Sequence, residues 1–203
     1  MSGIVPALLL GVVLGARHAL EPDHLSAVST LATEQPGARR GLLLGAIWGL
    51  GHSASLFAVG SVLALLHAEM PRRLAAGFEV AVGVMLVVLG LRALARLGAP
   101  MHTHARAPSG GFAWRSLAVG MVHGLAGSGA LTALVLAELP STASRLVYIV
   151  LFGAGSIAGM SALSGAVGVP LALVGRRAYA RVAVSAVAGV ISVVLGITWA
   201  LRF

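Results

Sequence analysis

The chain has 203 residues, of which 58% are hydrophobic and 10% charged, and its mean hydropathy is +0.97. A soluble domain carries about 25% charged residues, so a water-excluded globular core is not the governing arrangement. The absence of cysteine excludes a disulfide framework and any carrier that works through a Cys pair. The net charge of +8 comes from 14 arginines against 6 acids; because the arginines fall between apolar runs, they read as orientation signals and not as a nucleic-acid surface.

Six apolar segments, at about 4–32, 41–66, 73–97, 113–138, 145–174 and 180–202, are long enough for a helix to cross about 30 Å of hydrocarbon. Without period-two alternation they predict helices, hence an all-α integral membrane fold in a single domain, 1–203. The first segment lacks a basic leader and runs into charged, His-containing sequence, so it is expected to be a retained span. The breaks are short: Glu34 to Arg40, His67 to Arg73, a longer stretch at about 98–112, Leu139 to Ser144, and Gly175 to Arg181. Nine arginines lie on the odd connections and their flanks, against Arg72, Arg73, Arg145 and Arg202 opposite. That asymmetry predicts cytoplasmic odd loops and periplasmic or extracellular termini in a bacterial cytoplasmic membrane.

The halves resemble each other at a nearly fixed offset. His18-Ala19-Leu20 matches His123-Gly124-Leu125 at 105, and Gly49-Leu50-Gly51 matches Gly153-Ala154-Gly155 at 104. Val82-Gly83-Val84 and Val87-Val88-Leu89-Gly90 match Ala188-Gly189-Val190 and Val193-Val194-Leu195-Gly196 at 106. Three matches in order predict repeat 1 over about 4–97, a cytoplasmic loop over about 98–112, and repeat 2 over about 113–203. Three spans are an odd number, so the second copy enters the membrane from the other side, the inverted plan of many transporters.

Ionisable groups within spans are functional candidates, and the densest set is Arg17-His18-Ala19-Leu20-Glu21-Pro22-Asp23-His24. In a regular helix at about 100° per residue, His18 and Asp23 would diverge by about 140°. Pro22 removes the N–H that would bond the His18 carbonyl, so the first helix is expected to break near Pro22. Leu125-Ala126-Gly127-Ser128-Gly129 is expected to be irregular at the matching place. His52 and His123 join by position, though either one alone also suits a helix–helix hydrogen bond. Imidazole with carboxylate suits nickel, cobalt, zinc or copper, whereas calcium or magnesium would want oxygen alone. Arg17 is expected to neutralise Glu21 or Asp23, and Glu79 either to pair with a headgroup-level arginine or to relay protons. Ser53 is a possible supporting residue, and His102 and His104 in the longest loop are candidates for loading metal.

These residues resemble the nickel/cobalt transporter (NiCoT) family, whose signature reads like Arg-His-Ala-x-Asp-x-Asp-His; here Glu21 stands where that family often has Asp. The family's Leu-Gly-His-Ser/Thr motif in the next span is matched by Leu50-Gly51-His52-Ser53. The match covers about residues 11–60; the later acidic Gly-Phe-Asp-Thr motif of larger members is absent, and His123-Gly124-Leu125-Ala126-Gly127-Ser128-Gly129 stands in that region. The short pattern is similar to the six-span, urease-accessory UreH-like branch. The resemblance implies metal binding at His18, Asp23, His24 and His52, with His123 a candidate particular to this branch.

The sequence therefore predicts transport of a divalent transition metal, nickel or cobalt, as a passing substrate with no permanently bound cofactor. It offers no nucleophile–base set or phosphate loop, so no enzymatic role is expected. Expected partners are the metal ion, the bilayer and urease or hydrogenase maturation proteins, with no nucleic acid. Competing readings are a metal exporter, a sulfite-type small-anion exporter, a b-type cytochrome, and a membrane metallochaperone for urease or hydrogenase assembly.

Overall fold

The computed structural model of the protein describes residues 4–34, 37–97, 110–174 and 177–202. Among the described residues the chain is all helical: α1 (Ile4–His18), α2 (Pro22–Glu34), α3 (Ala38–Leu66), α4 (Arg72–Ala95), α5 (Gly110–Glu138), α6 (Thr142–Val174) and α7 (Ala178–Ala200). Four of these, α3, α4, α6 and α7, are long and apolar enough to cross a membrane by length and composition.

The first apolar segment forms two helices. α1 ends in a tightened turn, with Leu20 N–H donating to Arg17 at 2.9 Å and Glu21 N–H to His18 at 3.1 Å. α2 restarts at Pro22, whose missing N–H is harmless at a helix start. Asp23 follows in the first turn, where a carboxylate complements the positive end of the helix dipole. Proline alone does not set this break, since α6 continues through Pro170. The expected irregularity at 125–129 is corrected: α5 is helical throughout. Glycine there costs about 1 kcal/mol in propensity, but it keeps the N–H that closes the ladder.

Polarity is arranged in reverse of a soluble protein. Leu9, Leu66, Leu74, Val88 and Leu173 are exposed on the outside, while His24, His52, His123, Ser156 and Ser164 are buried. An apolar exterior of this extent is what hydrocarbon would accept. The core gathers Val28, Leu44, Trp48, Leu86 and Met160.

Small residues let the backbones approach closely. α3 lies between α5 and α6; α1 packs on α6, and α4 on α7. A Cβ at Gly15 would collide with Phe152 and Ser156, and one at Gly120 would collide with Trp48 and His52. Gly51 sits against Leu117 and Gly155 against Val12, while Gly83 faces Gly196 and Gly90 faces Gly189. Of the small-residue face formed by Gly120, Gly124, Ser128 and Thr132, both glycines meet α3 at His52; the side chains of Ser128 and Thr132 lie outside the described residues.

Candidate metal centre

Helix geometry brings the candidate donors to one point. His18 is the last residue of α1, Asp23 and His24 open α2, His52 lies midway along α3, and His123 lies in α5. The turn at 19–21 folds His18 back toward His24, and their ring centroids are 4.5 Å apart. His52 stands 5.1 Å from His18 and 5.3 Å from His24, and His123 stands 4.7 Å from His24. Asp23 Oδ1 accepts from the backbone N–H of His24 at 2.9 Å and lies 3.0 Å from His24 Nδ1. Its Oδ2 lies 3.5 Å from His123 Nε2.

Two sets of three donors emerge, His18–His24–His52 and Asp23–His24–His123, each with ligand atoms within 4.8 Å of one another. Bonds of about 2.1 Å hold neighbouring donors about 3–4 Å apart, so small side-chain rotations would close either set. Polar satisfaction points the same way. His18 Nε2, His24 Nε2, both ring nitrogens of His52 and His123 Nδ1 are buried without a hydrogen-bond partner among the described residues. Each such atom costs about 1–3 kcal/mol, and a coordinated cation would satisfy several together.

The supporting residues distribute differently from expectation. Glu21 is within 2.8 Å of His18 Nδ1, and Asp23 faces His24 and His123, so both carboxylates take imidazole partners in place of the expected Arg17. Orienting a histidine through its second nitrogen is the usual role of such a carboxylate. Among the described residues Glu79 has an indole partner in place of the expected headgroup-level arginine: Trp199 Nε1 donates to its Oε2 at 2.6 Å. Ser53 donates to the Gly153 carbonyl at 3.0 Å, tying α3 to α6. His102 and His104 lie outside the described residues.

A cleft of about 610 Å³ reaches the cluster at His18 and is also lined by Arg17, Glu21, Glu79, Leu131 and Phe152. Its α4, α5 and α6 lining comes from the helix portions nearest the connections at 67–71 and 139–141. Two aromatic walls were not anticipated. Trp48 stands 5.4 Å from His24 and 5.6 Å from His123, and Phe152 stands 5.5 Å from His18. Trp48 is four residues before His52, one helical turn away on the same face, and that spacing is a usable signal.

No protein-family model matches the chain, and no solved structure matches it significantly. Over 205 residues the chain is 33% identical to the urease accessory protein UreH of Bacillus sp. (strain TB-90), covering 96% of this chain and 90% of that one. Identity of that degree, sustained along nearly the whole length of both proteins, means that this chain belongs to the family of the urease accessory protein UreH.

Proposed function

We propose that the protein is a six-span membrane transporter of Ni²⁺ or Co²⁺, with α1 and α2 together forming the first span. The observation that carries this reading is the convergence of four imidazoles and one carboxylate from α1, α2, α3 and α5 on one buried point. Nitrogen-rich donors with one carboxylate suit late first-row divalent metals. The NiCoT signature at Arg17–His24 and the Leu50–Ser53 motif support the same cargo, and His18, Asp23, His24, His52 and His123 are its ligands.

The alternating-access device is an inverted repeat, α1 to α4 against α5 to α7, about an axis in the membrane plane. The packing supports it. Displacing Gly15 by 105, and Phe152 and Ser156 by −104, turns the first α1–α6 contact into the Gly120 contact with Trp48 and His52. Displacement by 106 likewise exchanges the Gly83–Gly196 and Gly90–Gly189 contacts. With the odd connections in the cytoplasm, as the arginine count favours, the cleft at His18 faces outward, an orientation compatible with metal uptake.

The test is uptake of ⁶³Ni²⁺ by proteoliposomes, with and without an imposed proton gradient, comparing wild type with His24→Ala. Saturable flux that the variant loses is expected. The relative's name, a urease accessory protein, favours a second reading, a membrane metallochaperone that delivers nickel to a maturation protein. Nickel binding without flux in well-reconstituted wild type would select it.

A further inference from the structure

The five donors of the cluster fall into two sets of mutually close ligand atoms, not one, and they are not equivalent. His18 and His123 each approach His24, at 4.5 and 4.7 Å, from different helices. His18 belongs to the set completed by His52, whereas His123 belongs to the set completed by Asp23. His18 lines the cleft; Asp23, His24, His52 and His123 are not among the residues lining it.

The two outer members are built alike. His18 and His123 are 105 residues apart, and three residues before each stands Gly15 or Gly120, pressed on matching backbone atoms of α6 or α3. Each histidine faces one aromatic ring across that contact: His18 faces Phe152 at 5.5 Å, and His123 faces Trp48 at 5.6 Å. Phe152 and Trp48 are themselves related by the 104-residue offset between α6 and α3. Similar local packing thus presents one imidazole from each half to the same central His24.

We infer that the centre comprises two coordination stations sharing His24: an entry station of His18, His24 and His52, and an exit station of Asp23, His24 and His123. The inference rests on the transport reading. An ion arriving by the cleft meets three imidazoles first. Exchanging His18 and His52 for Asp23 and His123 then carries it away from the cleft while His24 stays bonded. Two dications sharing one ligand repel strongly, so the stations fill alternately. A pair of neighbouring, comparably strong sites is also what movement requires, because a single tight cage would hold its ion.

Co²⁺ is the probe, because X-ray absorption separates imidazole from carboxylate donors and binding is measured apart from flux. The full chain in detergent is compared as wild type, His18→Ala and His123→Ala, with Co²⁺ bound per chain read by equilibrium dialysis. Each variant is expected to bind a single ion with affinity reduced about 10–100-fold at most, and with unlike shells. His123→Ala holds Co²⁺ by imidazoles, whereas His18→Ala holds it by imidazoles and a carboxylate oxygen. Cobalt uptake by proteoliposomes falls below about one-tenth of wild type in both, since each retains one end of the path. The same shell in both variants, or loss of all binding in either while its melting transition persists, would overturn the two stations; continued wild-type uptake would leave the transport reading standing. Unlike shells in the two variants, together with no cobalt flux through the wild type, would retire the transport reading and its handover, leaving two binding stations.

Discussion

His24 has close ring neighbours on several sides: His18 at 4.5 Å, His123 at 4.7 Å, His52 at 5.3 Å and Trp48 at 5.4 Å. It is also the residue common to both donor sets. Truncating it should therefore be the most damaging single change, and His24→Ala is expected to weaken Co²⁺ binding by more than the roughly 100-fold that loss of a supporting partner costs. Equilibrium dialysis of protein that still reaches the membrane checks this. Binding should also follow pH with a definite sign. An imidazole must be neutral to ligate, so protons compete with metal and affinity falls as the pH falls. A Co²⁺ titration repeated at stepped pH would show the midpoint moving to higher metal as acid is added. Glu79 lines the cleft and accepts a hydrogen bond from Trp199. Trp199→Phe removes its 2.6 Å donor and is expected to cost about 1 kcal/mol, because Glu79 is half-buried and water can partly replace the indole. Thermal melting in detergent reads that cost.

The interrupted first segment is the element on which the centre depends. A continuous helix would point His18 and His24 to different sides, about 120° apart; the turn before Pro22 brings their ring centroids to 4.5 Å. Pro22→Ala supplies an N–H for the His18 carbonyl and favours continuity, so Co²⁺ affinity should drop by about tenfold or more while membrane insertion is kept. The glycine seams set the helix spacing. Gly120→Ala puts a methyl into the backbone of Trp48 and should cost about 1–3 kcal/mol, the usual penalty of overpacking. Gly77→Ala, also in a helix, meets nothing within 4 Å and serves as the uncrowded control in the same melting experiment, expected to be stabilising by up to about 1 kcal/mol.

Across the whole molecule, the hydropathy pattern located the helices to within a few residues: 73–97 became Arg72–Ala95, and 145–174 became Thr142–Val174. That legibility has a simple origin. Bilayer thickness imposes a length, and the free energy of burying polar backbone imposes helices. Orientation remains a testable consequence of the arginine distribution. The chain has no cysteine, so single probes are clean. Ala68→Cys should react with an impermeant maleimide on intact cells, and Ala105→Cys only after permeabilisation. The opposite pattern would invert the topology and turn the cleft toward the cytoplasm.

By itself the sequence determined the apolar segments and the dense donor run from His18 to His24, each a local property of length or charge, and Pro22 marked where the first segment breaks without alone requiring it. It also supplied His52 and His123 as candidates for the same site, but not the geometry of their meeting. That Asp23 reaches His123, and that Trp48 and Phe152 wall the centre, are long-range facts. Close glycine-mediated packing of α3 against α5 and α6 decides them, and no residue's own neighbours in sequence encode it. The mistaken partner for Arg17 and the expected irregularity in α5 share that cause: local chemistry left several geometries open, and the packed helices selected one.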